Sequence, residues 1–229
     1  MDQIRQSYVY DNDQVLRHRV LRNTYWLLAL SMIPTILGAW LGVQIGFSFF
    51  TGSPMLGFML FMAIAFGFFY AIEKTKDSAL GVAILLGFTF FMGLMLSRMI
   101  GFVLHNFSNG ADLITIAFGG TAAILGVMAT IATVSKRDFS GLGKWLFAGL
   151  IVLIVGSAMS MIFHLSGLYI VISFVSIGIF SAYILYDVQQ IIKGGETNYI
   201  KATLSIYLDV YNIFVNLLSL LSIFAGDRR

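Results

Sequence analysis

"SIYLDVYNIFVNLLSLLSIF", residues 205–224, decides how the whole chain is read. It has the length and greasiness of a helix in hydrocarbon, yet Asp209, Asn212 and Asn216 sit inside it. Ser205, Asp209, Asn212, Asn216, Ser219 and Ser222 recur at intervals of 4, 3, 4, 3 and 3, which places them on one face of a helix. Such a stripe has meaning only if the rest of the chain also lies in a membrane.

The composition says that it does. Of 229 residues, 59% are hydrophobic and 11% charged, with a mean hydropathy of +0.89. Soluble domains carry about 25% charged residues. The formal charge of +3 is small and has no basic stripe, which excludes nucleic acid as a partner. With no cysteine, disulfides, thiol catalysis and thiolate metal sites are excluded too. The first 22 residues are polar and lack the apolar core of a signal peptide, so the first span must itself direct insertion.

A bilayer core takes about 20 apolar residues per helix. Runs of that kind occur at 24–50, 55–72, 78–104, 111–134, 145–164, 168–192 and 199–225. The expected architecture is an all-α polytopic membrane protein, with a cytoplasmic tail at 1–22 and a seven-helix domain at 23–229. Six spans plus a re-entrant segment is the alternative. Lys and Arg resist translocation. They cluster before the first span (Arg5, Arg17, Arg19, Arg22) and after the second (Lys74, Lys76). They recur after the fourth (Lys136, Arg137, Lys144) and around the sixth loop (Lys193, Lys201), whereas "TGSP", "NFSNG" and "LSG" have none. This places the N-terminus in the cytoplasm and the C-terminus in the periplasm. Arg228 and Arg229 then lie on the less favoured side, which speaks for six spans.

Several features read as architecture. Gly38, Gly42 and Gly46 form a GxxxGxxxG line for close helix packing, and Pro34 is expected to kink the same helix. His105 and His164 fall at outward ends of spans with no second ligand at metal spacing, and Arg98 is placed to snorkel. No HExxH, GxSxG or Walker pattern is present, so an enzyme is not expected, nor a cofactor.

Two acidic residues lie well inside spans: Asp187 in "SAYILYDVQQIIK" and Asp209. An ionised carboxylate there costs at least about 2.5–3.5 kcal/mol, so each must face the bundle interior or water and find a partner. Asp187 lies six residues before Lys193 and Asp209 eight after Lys201, roughly 9 and 12 Å in at 1.5 Å per residue. Antiparallel helices would bring them to one level. Ser173, Ser176, Tyr183 and Gln190 share the face of Asp187. The expected site is a paired-aspartate gate and pH sensor, lined by Ser205, Asn212, Asn216, Tyr183 and Gln190. Two adjacent carboxylates are not both ionised cheaply, so they share a proton or attract a hard cation such as Ca²⁺. The plainer alternative is that each Asp is satisfied separately and only locks packing.

"SAYILYDVQQI" followed by "IKATLSIYLDVYNIFVNLLSLL" resembles the C-terminal signature of the Bax inhibitor-1 (transmembrane BAX inhibitor motif) family, and the resemblance runs over essentially the whole chain. It implies a last helix surrounded by the other six, and a pH-sensing pair at Asp187 and Asp209 that gates a calcium leak, with Ca²⁺ permeant or bound. "HRVLRNTYWLLAL" and "IIKGGETNYI" look like a bacterial inner-membrane branch. One function assigned in that branch is modulation of the membrane-anchored AAA protease FtsH. Calcium-leak members carry an arginine cluster after the second span that locks the pair. Here "EKTKD" offers only Lys74 and Lys76 as a partial basic lock. The residues thus point first to a pH-sensitive cation leak and second to a protease modulator acting through its tail. A proton-coupled transporter is third, and no internal repeat supports it.

Overall fold

The computed structural model describes residues 2–47, 54–163 and 165–226, with side chains from residue 14 onward except at 54 and 166. His164, the termini at Met1, Arg228 and Arg229, the Arg5 side chain and loop residues 51–53 lie outside that description. Seven helices follow in order: α1 (Asp2–Gln44), α2 (Pro54–Thr75), α3 (Ala79–Asn106), α4 (Gly110–Val134), α5 (Leu142–Phe163), α6 (Ser166–Lys193) and α7 (Tyr199–Gly226). Each contains a stretch long and apolar enough to cross a membrane, which removes the six-span alternative.

The first helix runs beyond the apolar stretch at its start: residues 2–22 are helical and continuous with the first span. The helix stops at Gln44 rather than 50, because Gly46 turns left-handed (φ +61). Its N–H bonds to Val43 O at 3.3 Å and that of Phe47 to Gly42 O at 2.8 Å, the paired reversal that ends a helix at glycine.

Apolar side chains gain little by leaving lipid for one another, so helix contact in a bilayer rests on close approach and hydrogen bonding. Gly38 and Gly42 supply the approach. A Cβ on Gly38 would lie 2.2 Å from Phe90 O, and one on Gly42 would lie 2.4 Å from Ser97 Oγ. Gly93 answers from α3, where a Cβ would lie 2.1 Å from Thr35 O. The third glycine of the line, Gly46, is a terminator with open space around it and no packing role. Pro34 lies within α1 without ending it.

Hydrogen bonds join the same elements to α7. The Tyr207 hydroxyl, fully buried, lies 2.9 Å from Thr35 Oγ1 and donates to Thr89 O at 3.4 Å. Thr203 donates to Thr24 O at 3.3 Å, and Tyr211 to Met92 O at 3.4 Å. α7 packs against α1, α2, α3, α4 and α6. Among the described residues it makes no contact with α5, which meets only α6 and buries Leu146, Leu153 and Ser160 at seven-residue intervals.

The loops sort into two sides. Asn198 caps α7 by accepting from the N–H groups of Ile200 (3.0 Å) and Lys201 (3.1 Å). Its amide also donates to Lys76 O and Asp77 Oδ1, both at 2.9 Å, tying the α6–α7 loop to the α2–α3 loop. Gln189 accepts from Phe139 N–H at 2.5 Å and donates to Arg137 O at 2.8 Å, and Lys193 pairs with Asp138, so the α4–α5 loop is docked on the end of α6. All three basic loops therefore share one side. At the opposite end Gly226 lies beside Phe107 of the α3–α4 connection.

Candidate functional site

The site begins at the end of α6. "KGG" stops that helix as α1 is stopped: Gly194 is left-handed (φ +78), with N–H bonds from Gly194 to Ile191 O (3.1 Å) and from Gly195 to Gln190 O (2.8 Å). A Cβ on Gly195 would lie 2.1 Å from Gln190 Oε1, so the second glycine admits that side chain. The reversal leaves a cleft of about 250 Å³ lined by Tyr186, Asp187, Gln190, Gly195, Glu196, Ala202 and Ser205.

Asp187 is thus half-buried on the wall of a cleft on the basic side. Asp209 lies behind it, buried, and no N–H or hydroxyl group among the described residues donates to its Oδ2. The two carboxylates are within electrostatic reach of each other, and Tyr183 is within reach of both. Asp187 also feels Glu196 across the cleft. Among the described residues no lysine or arginine forms an ion pair with Asp187 or Asp209. The arrangement is a carboxylate at a water-sized opening with a second, dry carboxylate behind it.

The expected lining residues divide. Ser205 and Gln190 line the cleft, and Tyr183 adjoins the carboxylates without lining it. Asn212 and Asn216 turn back on their own helix, donating to Leu208 O and Asn212 O, each at 2.8 Å. Ser222 likewise donates to Leu218 O at 2.7 Å, while Ser219 meets the Tyr169 hydroxyl at 2.6 Å. The stripe of α7 is therefore satisfied along most of its length. Lys74 lies over the Tyr70 ring at 4.9 Å and Lys76 pairs with Glu73; among the described residues neither forms an ion pair with Asp187 or Asp209. His105 Nδ1 donates to Gly101 O (2.7 Å) on its own helix, and Arg98 is exposed.

Glu196, Tyr186 and Gln189 were not singled out from sequence. The signal for Glu196 was present in "KGGETN", since two glycines after a helix return the next residues over its end. Gln189 and Gln190 are adjacent, and a helix separates adjacent residues by 100°, so only one of them joins the face of Asp187.

Comparison with known proteins agrees with this architecture. The chain matches the family described as inhibitor of apoptosis-promoting Bax1 over residues 17–226. It is 34% identical over 227 residues to the modulator of FtsH protease YccA of Escherichia coli K12, covering 99% of this chain and all of that one. It is 34% identical to an uncharacterized protein of Neisseria meningitidis serogroup A (96% of this chain, 97% of the relative). An uncharacterized membrane protein of Vibrio cholerae is also 34% identical, over 90% of both chains. With seven spans in place, the two aspartate-bearing helices adjacent and the match running almost end to end, the chain belongs to the Bax inhibitor-1 family.

Proposed function

We propose that this chain is an integral protein of a bacterial inner membrane that modulates a membrane-anchored AAA protease of the FtsH type, without catalysis or a cofactor of its own. The observation that carries this reading is the full-length similarity to YccA, named as a modulator of FtsH protease. The shape of α1 supports it. Its 43 residues extend about 65 Å, roughly twice the thickness of a bilayer core, so the helix continues well past the membrane on the basic side. With that side in the cytoplasm, residues 2–13 form an ordered element that a protease can engage. The test measures degradation of a membrane substrate of the protease in vesicles. Adding the full chain changes the rate, and adding a chain lacking residues 2–13 leaves it as in vesicles without the chain. An undiminished effect of the shortened chain rules out this helix as the contact.

A second reading concerns the aspartates. Asp187 on the cleft wall, with Asp209 dry behind it and no basic partner, supports a pH-sensitive cation leak, Ca²⁺ being permeant or transiently bound. In liposomes loaded with a Ca²⁺ dye, wild type is expected to show flux that varies between pH 5 and 8. Asp187→Asn and Asp209→Asn should flatten that dependence. Absence of flux in wild type removes the channel, and unchanged pH dependence in both variants removes the gate.

A further inference from the structure

The α6–α7 loop has a second face. Behind it lies another cleft, of about 300 Å³, lined by Leu16, Arg17, Val20, Gly194, Glu196 and Thr197. Glu196 borders both clefts, so residues 194–197 form a partition with Asp187 on one side and α1 on the other. Arg17 is seated against the start of that partition: a Cβ on Gly194 would lie 3.1 Å from its Nε and 3.4 Å from its Cζ. Gly194 follows the last turn of α6, where unpaired carbonyls carry partial negative charge and a cation is favoured. Among the described residues Arg17 forms no ion pair and no side-chain hydrogen bond, so this seat is its principal interaction.

We infer that Arg17 is a positioning residue for the aspartate cleft: its guanidinium against Gly194 holds the α6–α7 partition over Asp187, so that whatever displaces the start of α1 widens access to the carboxylates. The loop is anchored from its far end by Asn198, on the α2–α3 loop, and by Lys201, 3.7 Å from Glu196 and 3.5 Å from Glu73. Arg17 meets its near end from α1, with Leu16 and Val20 lining the cleft beside it. Arg17, four residues beyond the segment proposed to meet the protease and on the same helix, is thereby in contact with the wall of the site proposed to bind cations. This inference rests on neither reading being correct about its partner, because it concerns access alone.

The chain has no cysteine, which permits a direct test in the full-length protein in lipid nanodiscs. Ala202 lines the Asp187 cleft and is buried, so Ala202→Cys is expected to react slowly with a charged, water-soluble thiol reagent. Adding Arg17→Ala should raise that rate about fivefold, the change expected for loss of one cation at a helix end. Arg17→Lys, which keeps the charge, should stay near the parent rate. Ser140→Cys, on the exposed α4–α5 loop, should react equally with and without Arg17→Ala. An unchanged rate at the Ala202→Cys thiol overturns the inference. So does an equal rise at both positions, which would mean general loosening rather than movement of the partition.

Discussion

Asp209 and Tyr207 are two residues apart on α7 and show two ways of keeping a polar group in a membrane interior. Tyr207 is fully provided for by Thr35 and Thr89, so its hydroxyl is structural. Tyr207→Phe should cost about 1 kcal/mol in unfolding from detergent micelles, since Thr35 keeps its bond to Ser31 O. Asp209 has an oxygen to which nothing among the described residues donates. The sequence made Asp187 and Asp209 legible because a carboxylate in an apolar run has few bland explanations. Thr35, Thr89 and Tyr207 were not legible, because a hydroxyl bonds its own helix as readily as a neighbour. Outside the membrane, Asp138 is held below the usual carboxylate range by its hydrogen bond with Lys193 and by the N–H of Ser140. A carboxyl depressed in the fold favours the docked α4–α5 loop above its unfolded value, and this support is lost as pH falls through and below the ordinary carboxylate range. Asp138→Asn should therefore speed amide exchange at residues 138–141 at neutral pH, and the difference from wild type should vanish on acidification.

Between elements, the glycines separate into those that touch backbone and those that touch nothing. Gly93→Ala sets a methyl group against Thr35 O across the α1–α3 contact, and backbone cannot move aside as a side chain does. Its expected cost is about 1–3 kcal/mol, read as a lower midpoint of thermal unfolding in detergent. Gly119→Ala and Gly126→Ala, which meet open space, should fall within about 0.5 kcal/mol of wild type. The GxxxGxxxG pattern foretold a close helix contact but not its extent. A helix terminator and a packing glycine look identical until φ is known, and Gly46 proved to be the former. The ends of α2 to α7 fell within a few residues of the apolar runs, because loops this short leave little freedom. α1 runs past its apolar stretch at the start because polar residues extend a helix into water as well as they end one, and it stops short at the other end because of Gly46.

Over the whole molecule, Arg17 beside Gly194 on the side of the three basic loops and Gly226 beside Phe107 put the early part of α1 and the end of α7 at opposite ends of the bundle. With the basic side cytoplasmic, a phosphatase fused after Arg229 should be active in the periplasm, and one fused before Met1 should be inactive. The reverse pattern would invert the orientation, and activity at neither end would contradict an odd number of spans. The global arrangement was legible because charge and apolar length act along the chain. The placement of α5 was not, since nothing in its uniformly greasy sequence says that it touches only α6. That attachment has a consequence for biogenesis. α5 leaves the translocon before α6 exists and must wait in lipid without a partner, which an almost wholly apolar helix tolerates. α7 is synthesised last and is the helix least able to wait, with Thr203, Tyr207 and Asp209 to bury. By then Thr24, Thr35 and Thr89 have all been made, so the order of synthesis supplies a partner for Thr203 and for Tyr207 before they arrive.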